Sequence, residues 1–132
     1  MPPFDRMTGI TIIKLCRVAT WWCVVLLAVL SLLPAQEMVR TGMPGQVERL
    51  IAYAGSAIVA TAGYQQSQGA FRIIGLLCVY AAILEALQHL SPGRHPSIGD
   101  FAASALGAAA GGLGILLVSR LSLRSARSEA AS

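Results

Sequence analysis

The fold is decided by residues 77–114, which read LCVYAAILEALQHL, then SPGRHPS, then IGDFAASALGAAAGGLG. Two apolar segments flank a short polar segment that contains two prolines and a glycine. Because proline and glycine interrupt helices and favour turns, the sequence predicts two antiparallel helices joined by a hairpin. The few polar residues inside the apolar segments are therefore the most informative ones.

The rest of the chain has the same apolar character. Of its 132 residues, 55% are hydrophobic and 12% are charged, whereas a soluble domain has about 25% charged residues. The apolar runs are continuous rather than alternating, which favours membrane helices over a barrel. The basic residues flank these runs, so the net charge of +4 indicates membrane topology rather than nucleic-acid binding.

Four apolar runs predict an all-α fold with four transmembrane helices, at about residues 11–33, 47–63, 70–90 and 97–119. They are expected to form one antiparallel bundle, a single domain over residues 1–120, followed by a flexible basic tail at 121–132. A cleaved signal peptide is the alternative for the first run, but the residues before Ala35 lack the small-x-small pattern. The three cysteines lie in or beside apolar runs without metal-ligand spacing, so no metal and no cofactor are expected.

The basic residues are distributed unevenly between the two ends of this bundle. Seven of the ten lie on the side of the termini and three lie on the other side. The first group is Arg6, Lys14, Arg17, Arg72, Arg120, Arg124 and Arg127, and the second is Arg40, Arg49 and Arg94. The positive-inside rule therefore predicts cytoplasmic N- and C-termini in a multi-pass membrane protein.

Polar side chains are predicted to meet at the outer face of the membrane. Glu85 and Gln88 share one face of the third helix, and Asp100 and Ser104 share one face of the fourth. An ionised carboxylate in hydrocarbon costs at least about 2.5 kcal/mol, so Glu85 is expected to be paired, protonated or near the interface, and Arg94 is the expected partner. The predicted outer-face cluster consists of Glu85, Gln88, Arg94, Ser97, Asp100 and Ser104.

Two compatible interpretations of this cluster remain open. It is either a structural clamp on the outer end of the hairpin or a small polar pocket for a lipid headgroup or a glycan-like ligand. The chain is not expected to be an enzyme, because no nucleophile motif, phosphate-binding loop or metal site accompanies the two carboxylates. An enzyme that acts on a lipid-linked substrate is the least favoured alternative.

Small residues recur at four-residue spacing on two of the predicted helices. They are Ala52, Ser56 and Ala60 on the second helix and Ala103, Gly107 and Gly111 on the fourth. Such rows let helix backbones approach closely in lipid. They are predicted to be helix-packing positions, within one protomer or, alternatively, between two copies.

One further pattern links the hairpin to the preceding helices. It comprises Glu85 and Gln88, then Pro92, Gly93, Arg94, Ser97 and Asp100, then Gly107, together with Leu32-Leu33-Pro34 and Ala52-Tyr53. This pattern, spread over about residues 30–117, resembles the VanZ-like family of small bacterial membrane proteins. The resemblance implies a four-helix membrane fold with an outward polar site and no defined enzymatic reaction.

The chain departs from that family mainly in the second helix. Members commonly carry Asp, Lys and His where this chain has Gly45, Gln46 and Arg49, and they usually carry Asn at the position of Ser104. Two hypotheses follow. The first is a non-enzymatic VanZ-like protein that acts on the envelope or on a lipid headgroup. The second is a small accessory subunit docked by helix packing on a larger membrane complex, such as a photosynthetic or respiratory one.

Overall fold

The computed structural model describes residues 3–32, 45–90 and 98–132, which form four helices and no strand. The helices are α1 (Pro3–Leu32), α2 (Gly45–Gln68), α3 (Ala70–Gln88) and α4 (Ile98–Ala131). The predicted all-α class is confirmed. Within these residues, three helices are long and apolar enough to cross a membrane, over Arg6–Leu32, Ala70–Gln88 and Ile98–Ala131.

The helix outside that group, α2, lies at the centre of the bundle. It contacts α1, α3 and α4, whereas α1 and α4 do not touch each other within the described ranges. This position explains why α2 is less apolar than its neighbours. Its polar residues Ser56 and Thr61 are buried against other helices, where a hydroxyl group does not face lipid.

The interior of the bundle is built mainly from small residues and its exterior from large ones. The core cluster consists of Leu27, Tyr53, Ala57, Ala60, Ile73, Leu77, Ala81, Leu84 and Ala108. On the outside, Trp22 is 66% exposed and Leu106 is 63% exposed. A water-soluble protein seldom carries so large an apolar surface, but helices packed in lipid keep small residues inside and apolar ones outside.

Two glycines bring α2 and α4 into close contact. A methyl group on Gly107 would overlap the backbone carbonyl of Leu50, and one on Gly111 would overlap the backbone carbonyl of Ala54. The contact advances by four residues along both helices, so α2 and α4 run parallel. Of the two predicted packing rows, Ser56, Ala60, Ala103, Gly107 and Gly111 are buried and Ala52 is half-buried. Both rows therefore face the interior of the protomer.

Two helices are longer than the sequence predicts. The first begins at Pro3 rather than near residue 11, and α4 continues to Ala131 where a flexible tail was expected at 121–132. After Gly114 the chain has no glycine or proline, and adding residues to an existing helix requires no new nucleation. Because every residue in the last turns of α4 is exposed, these turns extend past the other helices.

A single residue, Gly69, separates α2 from α3. Its φ of 76° lies in the left-handed region, which glycine adopts without steric penalty. The sequence predicts a longer turn over residues 64–69, whereas α2 continues to Gln68. We call the end of the bundle where α2 and α4 begin the loop end, and the opposite end, where α1 and α3 begin, the terminal end.

Candidate functional site

The polar residues of the loop end come from three different helices. Arg49 lies in the first turns of α2, Glu85 and Gln88 in the last turn of α3, and Asp100 in the first turn of α4. Because α2 and α4 run antiparallel to α3, these positions lie at one depth of the bundle. We call the four residues the Arg49 cluster.

The guanidinium group of Arg49 connects the cluster. Its Nη1 donates to Oε2 of Glu85 at 2.8 Å, and its Nη2 donates to Oε1 of Gln88 at 3.0 Å. The same Nη2 lies 3.8 Å from Oδ2 of Asp100. A planar guanidinium with several donors is suited to linking acceptors that approach from different sides. Arg49 thus ties the start of α2 to the end of α3 and the start of α4.

The cluster is only partly open to its surroundings. The side chains of Arg49 and Glu85 are 16% and 12% exposed, and that of Asp100 is 25% exposed. Charges interact more strongly in such partly buried surroundings than in water. The cluster contains one guanidinium and two carboxylates, so its described members carry a net charge of −1. The Asp100 carboxylate is the most accessible acceptor.

A donor inside the cluster is left unused. Gln88 is 1% exposed, and its Oε1 must face the Arg49 guanidinium because only the oxygen accepts a hydrogen bond. The amide nitrogen Nε2 is then buried, with no hydrogen-bond partner in the part of the chain that the structure describes. Leaving a buried donor unpaired costs about 1–3 kcal/mol. An acceptor from outside the described residues would remove that cost.

The structure brings together three of the six residues predicted for the outer-face cluster, namely Glu85, Gln88 and Asp100. Ser104 is fully buried, and its hydroxyl group donates a hydrogen bond to the backbone carbonyl of Asp100, one turn earlier on α4, at 3.0 Å. The other two, Arg94 and Ser97, lie outside the described residues. The predicted pairing of Glu85 with Arg94 stays a prediction, and the partner observed for Glu85 is Arg49.

The role of Arg49 was not predicted from the sequence. There, Arg49 is one of three basic residues on the side away from the termini and a departure from the family pattern. Arg49 lies 36 positions from Glu85, so no local spacing connects the two. The predicted topology does place Arg49 and Glu85 at the same end of the bundle, and this was the one sequence feature that could have indicated their contact.

Comparison of the chain with protein-family models, with curated proteins and with solved structures finds no significant match. The resemblance to the VanZ-like family therefore stays a prediction. Among the described residues, no three His, Cys, Asp or Glu side chains are grouped closely enough to hold a metal ion. The site is thus defined by its own geometry: a charged, partly buried cluster that joins three helices.

Proposed function

We propose that the chain is a non-enzymatic, four-span protein of a bacterial inner membrane, similar to the VanZ-like family, whose Arg49 cluster binds a lipid headgroup or an envelope ligand. One observation carries the proposal. Arg49 gathers two carboxylates and a buried amide at the loop end, while Asp100 keeps a quarter of its side chain exposed.

The dimensions of α4 support a membrane-spanning position for the bundle. Asp100 and Arg120 are 20 residues apart, about 30 Å along a helix, which equals the thickness of a bilayer hydrocarbon core, about 30 Å. Helix α2 contacts α1 near its own end, at Gly63, and α3 near its own start, at Arg49. Because α2 extends along the full length of neighbours that are proposed to cross the membrane, we count α2 as the fourth transmembrane span.

The orientation follows from the distribution of basic residues. Seven of them belong to the terminal end, so we place that end in the cytoplasm and the Arg49 cluster on the outer face. A fluorescent reporter fused after Ser132, which fluoresces only in the cytoplasm, is expected to be bright. A dark reporter that becomes active only in the periplasm would reverse the orientation and put the Arg49 cluster at the inner face.

The accessible groups of the cluster suggest the ligand that fits it. The Asp100 carboxylate is 25% exposed, and a carboxylate oxygen accepts hydrogen bonds from a cationic group such as a headgroup amine. The unpaired Nε2 of Gln88 favours an acceptor oxygen on the same ligand. An amine next to ester or phosphate oxygens, as in an ethanolamine headgroup, meets both requirements.

Substitution of Asp100 by Asn tests this assignment. Asn keeps the size of the side chain and removes the most exposed carboxylate, so we expect affinity for an ethanolamine headgroup to fall at least about fivefold, the equivalent of about 1 kcal/mol. The measurement is retention of phosphatidylethanolamine against phosphatidylglycerol by the full chain in lipid nanodiscs, read by native mass spectrometry.

The matched control is Glu129→Gln, which removes a carboxylate from the exposed end of the same helix. We expect it to leave the preference between the two lipids unchanged. Equal retention of phosphatidylethanolamine by the Asp100→Asn variant and the unaltered chain would contradict a ligand role for the Arg49 cluster and leave the clamp interpretation.

The accessory-subunit hypothesis has separate support from α1. This helix lies at the margin of the bundle, and its outer face is almost entirely uncovered, with Trp21 and Trp22 64% and 66% exposed. Aromatic residues are enriched at protein–protein interfaces as well as at the headgroup level of membranes. Extraction from native membranes in a mild detergent, followed by sizing, separates the two functions. Migration at the mass of a lone protomer or dimer argues against the accessory role.

A further inference from the structure

A second arginine is held at the terminal end by contacts of a different kind. Arg17 of α1 donates from Nε to the carbonyl oxygen of Gly63 at 2.9 Å. Its guanidinium carbon lies 4.9 Å from the centre of the Tyr64 ring. Trp21, one turn later on α1, donates from Nε1 to the Tyr64 hydroxyl at 3.0 Å. The stacked ring and the Nε hydrogen bond together fix the plane of the guanidinium group.

The close approach of α1 to α2 makes this arrangement possible. A methyl group on Gly63 would lie 3.1 Å from the backbone nitrogen of Arg17 and 3.2 Å from the carbonyl carbon of Cys16. Both distances are tighter than ordinary van der Waals contact. Gly63 therefore allows the helices to come near enough for Nε of Arg17 to reach the α2 backbone.

The two bundle arginines use their nitrogens in opposite ways. Arg49 donates hydrogen bonds from Nη1 and Nη2 to partners inside the protein. Arg17 donates from Nε, and the described hydrogen bonds leave its other four N–H groups, all on Nη1 and Nη2, without an acceptor. The two ion pairs found among the described residues both belong to Arg49, so Arg17 has no carboxylate partner there.

The depth of Arg17 favours an anionic partner. Depths are compared from the Arg49 cluster, in which Arg49 and Asp100 lie at one level. Gly63, which contacts Arg17, is 14 residues from Arg49, about 21 Å along α2, whereas Arg120 is about 30 Å from Asp100 along α4. Arg17 is thus about 9 Å inside the boundary marked by Arg120, a distance that its long side chain largely covers. An unpaired cation within the hydrocarbon region costs about 2.5–3.5 kcal/mol. The phosphates of the adjacent leaflet are the nearest abundant anions.

We propose that Arg17 binds the phosphate group of a membrane lipid at the terminal end of the bundle. The free edge of the guanidinium offers two parallel N–H groups, which match two oxygens of a phosphate. Lys14 lies one turn earlier on the same face of α1 and is exposed, so it supplies a second positive charge about 4.5 Å nearer the membrane surface. This site is separate from the Arg49 cluster and does not depend on the function proposed for it.

Lipid binding by the full chain in a neutral detergent tests the site. The probes are dioleoyl phosphatidic acid and dioleoylglycerol, which share acyl chains and differ in the phosphate group. We expect phosphatidic acid to bind at least tenfold more tightly than the diacylglycerol, as read by native mass spectrometry. Arg17→Lys keeps the charge but removes Nε and the planar fork, so we expect it to lose most of that preference.

The matched control is Arg72→Lys, an exposed arginine in the first turn of α3 at the same end of the bundle. We expect it to retain the full preference for phosphatidic acid. Equal preference in the Arg17→Lys variant and the unaltered chain overturns the site, because positive charge alone then accounts for binding. An equal loss in both variants also overturns it, because Arg17 is then no different from another arginine at the same end of the bundle. Competition by inorganic phosphate at the concentration of the lipid overturns the assignment to a lipid.

A second variant covers the case in which Arg17→Lys does not fold. Tyr64→Leu removes the ring on which the guanidinium stacks and leaves Arg17 in place. We expect the preference for phosphatidic acid to fall at least threefold while the helical circular dichroism is unchanged. An unchanged preference in this variant means that the guanidinium is not preorganised by Tyr64, which also overturns the proposal.

Discussion

Replacement of Arg49 by Ala is expected to lower the free energy of unfolding by about 3 kcal/mol, because removing one partner of a partly buried ion pair leaves the other charge uncompensated. Glu85 would lose its 2.8 Å hydrogen bond and Gln88 its only described acceptor contact. Because three helices meet at Arg49, the substitution weakens the packing of all three at the loop end. Unfolding in mixed micelles with increasing sodium dodecyl sulfate, followed by circular dichroism, measures the change.

Two further variants separate the charge from the packing. In the double variant Arg49→Met with Glu85→Met, neither an unpaired guanidinium nor an unpaired Glu85 carboxylate remains, so we expect more than half of the lost stability to return. Arg72→Ala removes an exposed arginine and should change the free energy of unfolding by less than about 0.5 kcal/mol. If Arg49→Ala behaves like Arg72→Ala, the cluster does not hold the helices together.

The membrane-like character of the fold was predictable, and so was the gathering of Glu85, Gln88 and Asp100 at one end. Both follow from local rules: long apolar runs form helices, and residues three or four apart share a face. A proline-containing hairpin then makes consecutive helices neighbours. These rules use only short distances along the chain, and short distances were enough for α3 and α4.

Arg49 was not predictable as the centre of the site, because its partners are distant in sequence. Its contact with Glu85 depends on how α2 rotates about its own axis, which is fixed by Tyr53, Ser56 and Ala57 entering the interior. A basic residue at the start of a helix has many possible partners, and lipid phosphates are among them. The packing of α2 against α3 and α4 determines that Arg49 pairs with the carboxylates of Glu85 and Asp100.

The helix ends were missed for a different reason. Polarity alone suggested that the segments before residue 11 and after residue 120 would not be helical. Arg, Leu, Ala and Glu all favour helix, and the segment after Gly114 contains no breaker, so α4 continues as an exposed helix to Ala131. Solvation of a segment therefore says little about whether its backbone is helical.

The largest packing effect is expected at the two glycines between α2 and α4. Because the atoms in the way are backbone carbonyls of Leu50 and Ala54, they cannot move aside as a flexible side chain would. Gly107→Ala and Gly111→Ala should each lower the free energy of unfolding by about 1–3 kcal/mol, which is the usual cost of overpacking. We expect the double variant to lose the contact between α2 and α4, which sodium dodecyl sulfate titration would detect as an early transition.

Gly114→Ala on the same helix provides the matched control, since a methyl group there meets no atom within 4 Å. Alanine favours helix over glycine by about 1 kcal/mol, and this intrinsic gain applies equally to all three positions. The difference between Gly107→Ala and Gly114→Ala therefore isolates the steric contact from the helix propensity. Equal stability of these two variants would mean that α4 does not approach α2 through its glycine row. A loss confined to Gly107 and Gly111 would confirm that α4 contacts α2 through this row.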